Sequence, residues 1–232
     1  MTERLGSLFS SAYGAVLRLG KAGALAIGLA LPACAEEITV VALGDSLTQG
    51  FGLVEEQGLV PQLEGWLEAR GHDVAVENHG VSGDTTAGGL ARLGWALDDH
   101  VDALILALGG NDLLRGLPPE NSRANLDGIL AEAEARGLPV LLVGLQAPGN
   151  YGPEYKAAFD AMYPDLAAEY DALHVDSFLA PLSAAAEDDP SGALARYMQP
   201  DGIHPNADGV RLIVEALGPE VEALIARVDA GS

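Results

Sequence analysis

Hydrophobic positions along this chain fall into two alternating kinds of segment. Unbroken apolar runs occur at Ile38-Thr39-Val40-Val41-Ala42-Leu43, at 103–108 and at 140–145. Runs of that length, rich in aliphatic side chains, read as strands buried on both faces. The region from Val74 through Val76 to His79 begins by alternating apolar with polar residues and reads as a further strand; His174 and Val175 mark a short one. Between them lie segments of helical period. In 59–70, Leu59, Leu63, Trp66 and Leu67 share a face, Pro61 suits the first turn and Gly71 follows the end. Further helices are expected at about 86–97, 123–136 and 155–170, and Val210, Ile213, Val214, Leu217, Val221, Leu224 and Ile225 form an apolar stripe on a last one. Trp66 and Trp95 fall within helical apolar patterns and are expected in the core. Strands alternating with helices predict a parallel sheet covered on both faces, an α/β fold in three α/β/α layers. No internal repeat or linker interrupts it, so residues 36–232 are expected to form one domain.

Residues 1–35 differ in kind. Arg4, Arg18 and Lys21 precede an apolar stretch, 22–31, that is shorter than the ~20 residues needed to span a bilayer, and Ala33-Cys34-Ala35 supplies small residues in the A-x-A arrangement. This predicts a secretory signal peptide cleaved before Glu36, and a periplasmic or secreted protein. Lipidation at Cys34 is the alternative; Pro32 and the almost immediate start of the first strand speak against it. Cys34 is the only cysteine, so the cleaved protein would have neither disulfide nor thiol nucleophile.

Charge narrows the partners. The 232 residues carry a formal net charge of −22, and removal of 1–35 leaves nine Lys and Arg against 33 Asp and Glu, a net −24. Such a surface repels nucleic acid and anionic membranes. No H-E-x-x-H, P-loop or Cys/His cluster is present, so no metal, nucleotide or other cofactor is expected. His72, His79, His100 and His174 are scattered and read as surface or packing residues.

The candidate chemistry is positional. Polar groups follow three strands in turn: Gly44-Asp45-Ser46, Ser82-Gly83-Asp84 and Gly110-Asn111-Asp112. In a parallel sheet all three open on the carboxyl edge, where α/β folds build their sites. A fourth group, Asp201-Gly202-Ile203-His204-Pro205-Asn206, precedes the last helix; Pro205 biases His204 away from helical geometry and Asn206 can cap the helix behind it. Each has a plainer reading: Ser46 as a helix cap, Asp201-Gly202 as a turn, Gly83 as backbone freedom, Asn111 as an Asx-turn. Together they supply what acyl transfer needs. Ser46 is the candidate nucleophile, His204 the candidate base and Asp201 the candidate carboxylate to orient it; the Ser46 and Gly83 N–H groups and the Asn111 amide are the candidate oxyanion donors.

With those blocks in place, the chain resembles the SGNH (GDSL) hydrolases, in particular the thioesterase I/lysophospholipase L1 and arylesterase branch. The matching blocks are Gly44-Asp45-Ser46-Leu47-Thr48, Gly80-Val81-Ser82-Gly83-Asp84-Thr85-Thr86-Ala87-Gly88-Gly89, Gly109-Gly110-Asn111-Asp112 and Asp201-Gly202-Ile203-His204-Pro205-Asn206. The resemblance implies a flavodoxin-like sheet, with the family's serine, glycine, asparagine and histidine at Ser46, Gly83, Asn111 and His204 and its triad acid at Asp201. Leu113 departs from the glycine common in thioesterase I-like members, which bears on pocket shape. The G-x-S-x-G elbow of the α/β-hydrolases is absent around Ser46. By the same resemblance the loop 147–155 borders the acyl pocket, with Tyr151 as a candidate lining residue. The expected activity is hydrolysis of aryl, short-to-medium acyl or lysophospholipid esters, with thioesters a further option, through an acyl-enzyme. A deacetylase of cell-wall or polysaccharide esters is the alternative, and a non-catalytic lipid- or glycan-binding protein a more distant one.

Overall fold

A computed structural model of the chain describes residues 37–186 and 190–231. The expected signal peptide, Cys34 included, lies outside the described residues. Five strands, β1 (Ile38–Gly44), β2 (Val74–Gly80), β3 (Ala103–Ala107), β4 (Val140–Val143) and β5 (Leu173–Val175), form one parallel sheet in the order β2-β1-β3-β4-β5. The first crossover carries the chain to one side of β1 and the second to the other, which makes the carboxyl end of β1 the switch point of the sheet.

Alternation along β1 explains why the sheet is covered twice. Val40 and Ala42 point into one apolar core and Val41 and Leu43 into the other. The first core is closed by α2 (Leu59–Glu68) and α9 (Ala207–Gly231), through residues such as Leu63, Leu67, Leu217 and Leu224. The second is closed by α3 (Thr86–Ala96), α5 (Pro119–Ala135) and α6 (Pro153–Glu169), through Leu93, Leu126, Ile129, Phe159 and Met162. The three expected layers are therefore present.

Register brings the polar turns together. Gly44 is paired with Gly80 on one side and with Ala107 on the other, so β1, β2 and β3 end level. The short helix α1 (Ser46–Gln49) lies directly on those ends. A Cβ at Gly44 would stand 1.9 Å from Thr48 Oγ1, and one at Gly80 only 2.2 Å from the backbone nitrogen of Gln49. The two glycines are what allow so close an approach.

Three sequence expectations change. Helix α5 begins at Pro119, not near 123, because proline at the first helical position needs no N–H partner. Two short helices, α7 (Ala180–Ala185) and α8 (Pro190–Tyr197), occupy a stretch without a clear period. Trp95 is not core: it is 89% exposed, while Leu93 and Ala96 of the same helix face inward. Trp66 does pack partly against the first core, with Gly218 of α9 beneath its ring and the Arg70 guanidinium carbon 3.3 Å from the ring centroid. Among the described residues no helix is long and apolar enough to cross a membrane.

Candidate active site

Asp45 is the cap of α1, its Oδ1 accepting the Leu47 N–H at 3.0 Å, which places Ser46 at the first helical position. Gly50, in the left-handed region at φ 83°, closes the helix by donating its N–H to the Ser46 carbonyl, and Phe51 donates to the same carbonyl at 3.0 Å. Ser46 thus sits where a helix leaves its N–H without a helical acceptor. Asp45 is almost fully buried. Burial pushes its carboxyl above the ordinary value, against the opposing effect of the Leu47 N–H and of Asn111, whose Nδ2 donates to Asp45 Oδ2 at 3.3 Å.

The turn after β2 places Gly83 at φ 81°, which favours glycine, and Asp84 donates its N–H back to the Val81 carbonyl at 3.0 Å. Arg115 donates to the Gly83 carbonyl at 2.8 Å and so ties this turn to the end of α4 (Gly110–Leu114). Beneath it, Arg92 pairs with Asp84 at 2.7 Å and donates to the Gly44 carbonyl at 2.9 Å. Asn111 stands in the first turn of α4. One amide hydrogen is taken by Asp45, which leaves the other for the groove above.

His204 is carried by a closed loop. The Gln199 N–H donates to the His204 carbonyl, Gly202 donates to the Gln199 carbonyl, and Met198 and Pro205 form an antiparallel bridge. Asn206 accepts the N–H groups of Asp208 and Gly209 at 3.0 Å, the expected cap of α9. Asp201 folds inward: Oδ1 accepts the Ile203 and His204 N–H groups at 2.9 and 3.0 Å, and Oδ2 lies 2.6 Å from His204 Nδ1. The His204 ring first, and those two N–H groups after it, hold the Asp201 carboxyl down to about 2. His204 Nε2 stands 2.9 Å from Ser46 Oγ. Three residues from two ends of the chain therefore form one hydrogen-bonded line.

Ser46 and Asn111 open into a groove of about 430 Å³, walled by Leu113, Leu114, Leu145, Met198 and Ile203. Of the loop 147–155, Pro148 reaches this groove and Tyr151 does not. The Tyr151 ring packs on Gly116 and Tyr155, and its hydroxyl donates to the Leu114 carbonyl at 3.3 Å, so it braces the outer wall from behind.

Comparison with known proteins agrees with this geometry: the GDSL-like Lipase/Acylhydrolase family matches residues 42–212. The chain belongs to that family. Membership places it among the ester hydrolases. Esterase TesA of Pseudomonas aeruginosa is 38% identical over 88% of this chain and 96% of its own length. Thioesterase 1/protease 1/lysophospholipase L1 of Escherichia coli K12 is 34% identical over 81% of this chain and 85% of its own. The solved structure of AlinE4, an SGNH-hydrolase family esterase, matches with a TM-score of 0.64 at 41% identity, covering 82% of this chain and 98% of AlinE4.

Beneath the GDSL-like site lies a residue whose role no local pattern signals. Asp112 is 1% exposed and accepts three bonds: from Thr86 N–H at 2.9 Å, Thr86 Oγ1 at 2.6 Å and Ser122 Oγ at 3.0 Å. It joins the starts of α3 and α5 to α4, the helix that bears Asn111. Asp112→Ala would leave the buried Thr86 N–H without an acceptor, and is expected to cost about 3 kcal/mol in urea denaturation, against a smaller loss for Asp112→Asn. Elsewhere, His79 and His100 are not scattered but share the Glu77 carboxylate, at 3.3 and 3.0 Å. Among the described residues no group of His, Cys, Asp or Glu has the geometry to hold a metal ion.

Proposed function

We propose that the protein is an exported serine esterase in which Ser46 is the nucleophile, His204 its general base and acid, and Asp201 the group that orients and stabilises the imidazole. The observation that carries this reading is the line from Asp201 Oδ2 through His204 to Ser46 Oγ, with links of 2.6 and 2.9 Å. His204 Nε2 takes the Oγ proton as Oγ attacks the ester carbonyl, and the imidazolium hands that proton to the departing alcohol. Water, deprotonated by the same ring, then attacks the acyl-Ser46 ester, and His204 returns the proton to Oγ as the acid leaves. Ser46 N–H, Gly83 N–H and the free hydrogen of the Asn111 amide receive the oxyanion in both half-reactions. Among the described residues neither of those two N–H groups has a protein acceptor, which leaves both available to a substrate oxygen. Asn111→Ala is expected to lower kcat about 10²- to 10³-fold with little change in KM, measured by steady-state hydrolysis.

The groove and the charge support a substrate class. Aliphatic walls suit an acyl chain, and a chain of net −24 after removal of residues 1–35 repels anionic substrates such as acyl-CoA, which favours neutral esters and zwitterionic lysophospholipids. Leu113 adds an aliphatic side chain to the wall beside Asn111. Hydrolysis of p-nitrophenyl esters from acetyl to palmitoyl, by parent and Ser46→Ala, tests the reading. Activity confined to acetyl esters would shift it toward a deacetylase; folded protein without activity on any ester would remove it. Export is supported by the composition of residues 1–35, and intact-mass measurement of the exported protein checks it. A mass beginning at Glu36 is expected.

A further inference from the structure

Ser46 and His204 are 158 positions apart in sequence and stand on different elements, yet attack requires their side chains to be held within hydrogen-bond reach. The Oγ–Nε2 bond cannot be what holds them, because it breaks and re-forms as the proton moves. We propose that Gln199 is the positioning residue that sets this separation, acting as a clamp between the loop behind Ser46 and the loop that carries His204. The proposal rests on the reading of Ser46 and His204 as nucleophile and base.

The geometry is a closed circuit. The Phe51 N–H donates to the Ser46 carbonyl at 3.0 Å. The Phe51 carbonyl in turn accepts Gln199 Nε2 at 2.7 Å, and the second hydrogen of the same amide goes to the Pro205 carbonyl at 2.9 Å. The Gln199 N–H donates to the His204 carbonyl at 2.8 Å. An unbroken run of hydrogen bonds therefore connects the backbone of Ser46 to the backbone of His204 behind the reacting atoms. Both partners of the Gln199 amide are carbonyl oxygens, so only the NH₂ end satisfies them and the orientation of the amide follows.

Two further contacts show that the clamp is fitted to its place. Gln199 Oε1 lies against Gly52, where an added Cβ would stand 2.2 Å from it; at φ 77° that position favours glycine in any case. The ring of Phe51 lies 4.6 Å from the His204 ring, so the residue whose carbonyl Gln199 grips also covers the base. Releasing the Phe51 carbonyl frees both the loop and the ring that packs on the imidazole. Asp201 and the Met198–Pro205 bridge shape the His204 loop internally, but neither ties it to Ser46. That tie is what Gln199 adds.

The test is steady-state hydrolysis of the best p-nitrophenyl ester by Gln199→Ala and Gln199→Met, with melting curves of both. Methionine keeps a side chain of similar length over Gly52 and removes the amide that grips the Phe51 and Pro205 carbonyls, so it decides the matter if the alanine variant folds poorly. Both variants are expected to lose about 10- to 100-fold in kcat with KM within about twofold. In a His204→Ala background the same substitutions are expected to have no further effect, because a clamp on an absent base has nothing to position. Retention of kcat within about threefold in Gln199→Met overturns the proposal, as does an equal loss in the His204→Ala background. Full activity of His204→Ala itself would instead remove the base assignment on which the proposal rests.

Discussion

Ser46→Ala, His204→Ala and the double variant are expected to hydrolyse esters at one shared residual rate, about 10⁴- to 10⁶-fold below the parent. A serine hydroxyl is a weak nucleophile until a base takes its proton as it attacks, and the base has no role once the hydroxyl is gone. In the proposed mechanism the two groups, joined at 2.9 Å, act as a unit, so removing either removes the same step. What remains comes from donors that neither substitution touches: the Gly83 N–H, the Asn111 amide and the helix-start N–H of residue 46. Ser46 and His204 carry no core packing, so the folded state should survive and the melting temperatures should stay close to the parent. Active-site titration with a phosphonate ester alongside kcat checks the prediction; losses that multiply in the double variant would mean that the two side chains act separately.

Asp201→Asn is expected to lower kcat about 10³- to 10⁴-fold, with a small effect on KM. Asparagine can keep the Oδ1 position that accepts the Ile203 and His204 N–H groups, so the loop retains its shape. Its amide nitrogen then faces His204 Nδ1, where the carboxylate stood at 2.6 Å, and stabilises the tautomer with the proton on Nε2. That tautomer cannot accept the Ser46 proton. The substitution also removes a pH window. The carboxyl is held at about 2 in the folded protein, below the ordinary carboxylate range near 4. A lowered carboxyl stabilises the fold fully above its unfolded value and loses that contribution as pH falls toward the folded one. The stability difference between parent and Asp201→Asn is therefore expected to narrow between about pH 4 and 2. Urea denaturation at a series of pH values measures it. A difference that does not narrow below about pH 4 would show that the folded loop does not hold this carboxyl down.

Leu113 shows where sequence resemblance and structure meet. The departure from glycine is visible in the sequence, but its consequence, an aliphatic side chain on the groove wall beside Asn111, is visible only in three dimensions. Tyr151 shows the reverse. Its place in a loop beside the pocket suggests a lining residue, whereas its ring turns onto Gly116 and Tyr155. Trp95 misleads for a similar reason: a helical period says which residues share a face, and packing alone decides which face is buried.

What the sequence determined by itself was local or repeated. Strand runs, helical stripes, proline at helix starts and glycine after helix ends depend on near neighbours along the chain, so β1 to β5 and the five large helices could be placed to within a few residues. The three polar blocks that follow strands were legible because a parallel sheet sends every strand's carboxyl end to the same edge, whatever the details of packing; the fourth was legible from Pro205 and Asn206 just before the last helix. Tertiary structure decided the rest. Level strand ends at Gly44, Gly80 and Ala107 set how closely the blocks meet. Asp112 gathers Thr86 and Ser122, and Gln199 joins Phe51 to Pro205, across separations that carry no periodic signal. Such partners are chosen by register and by the need to satisfy buried polar groups, and neither exists until the sheet and its layers have assembled.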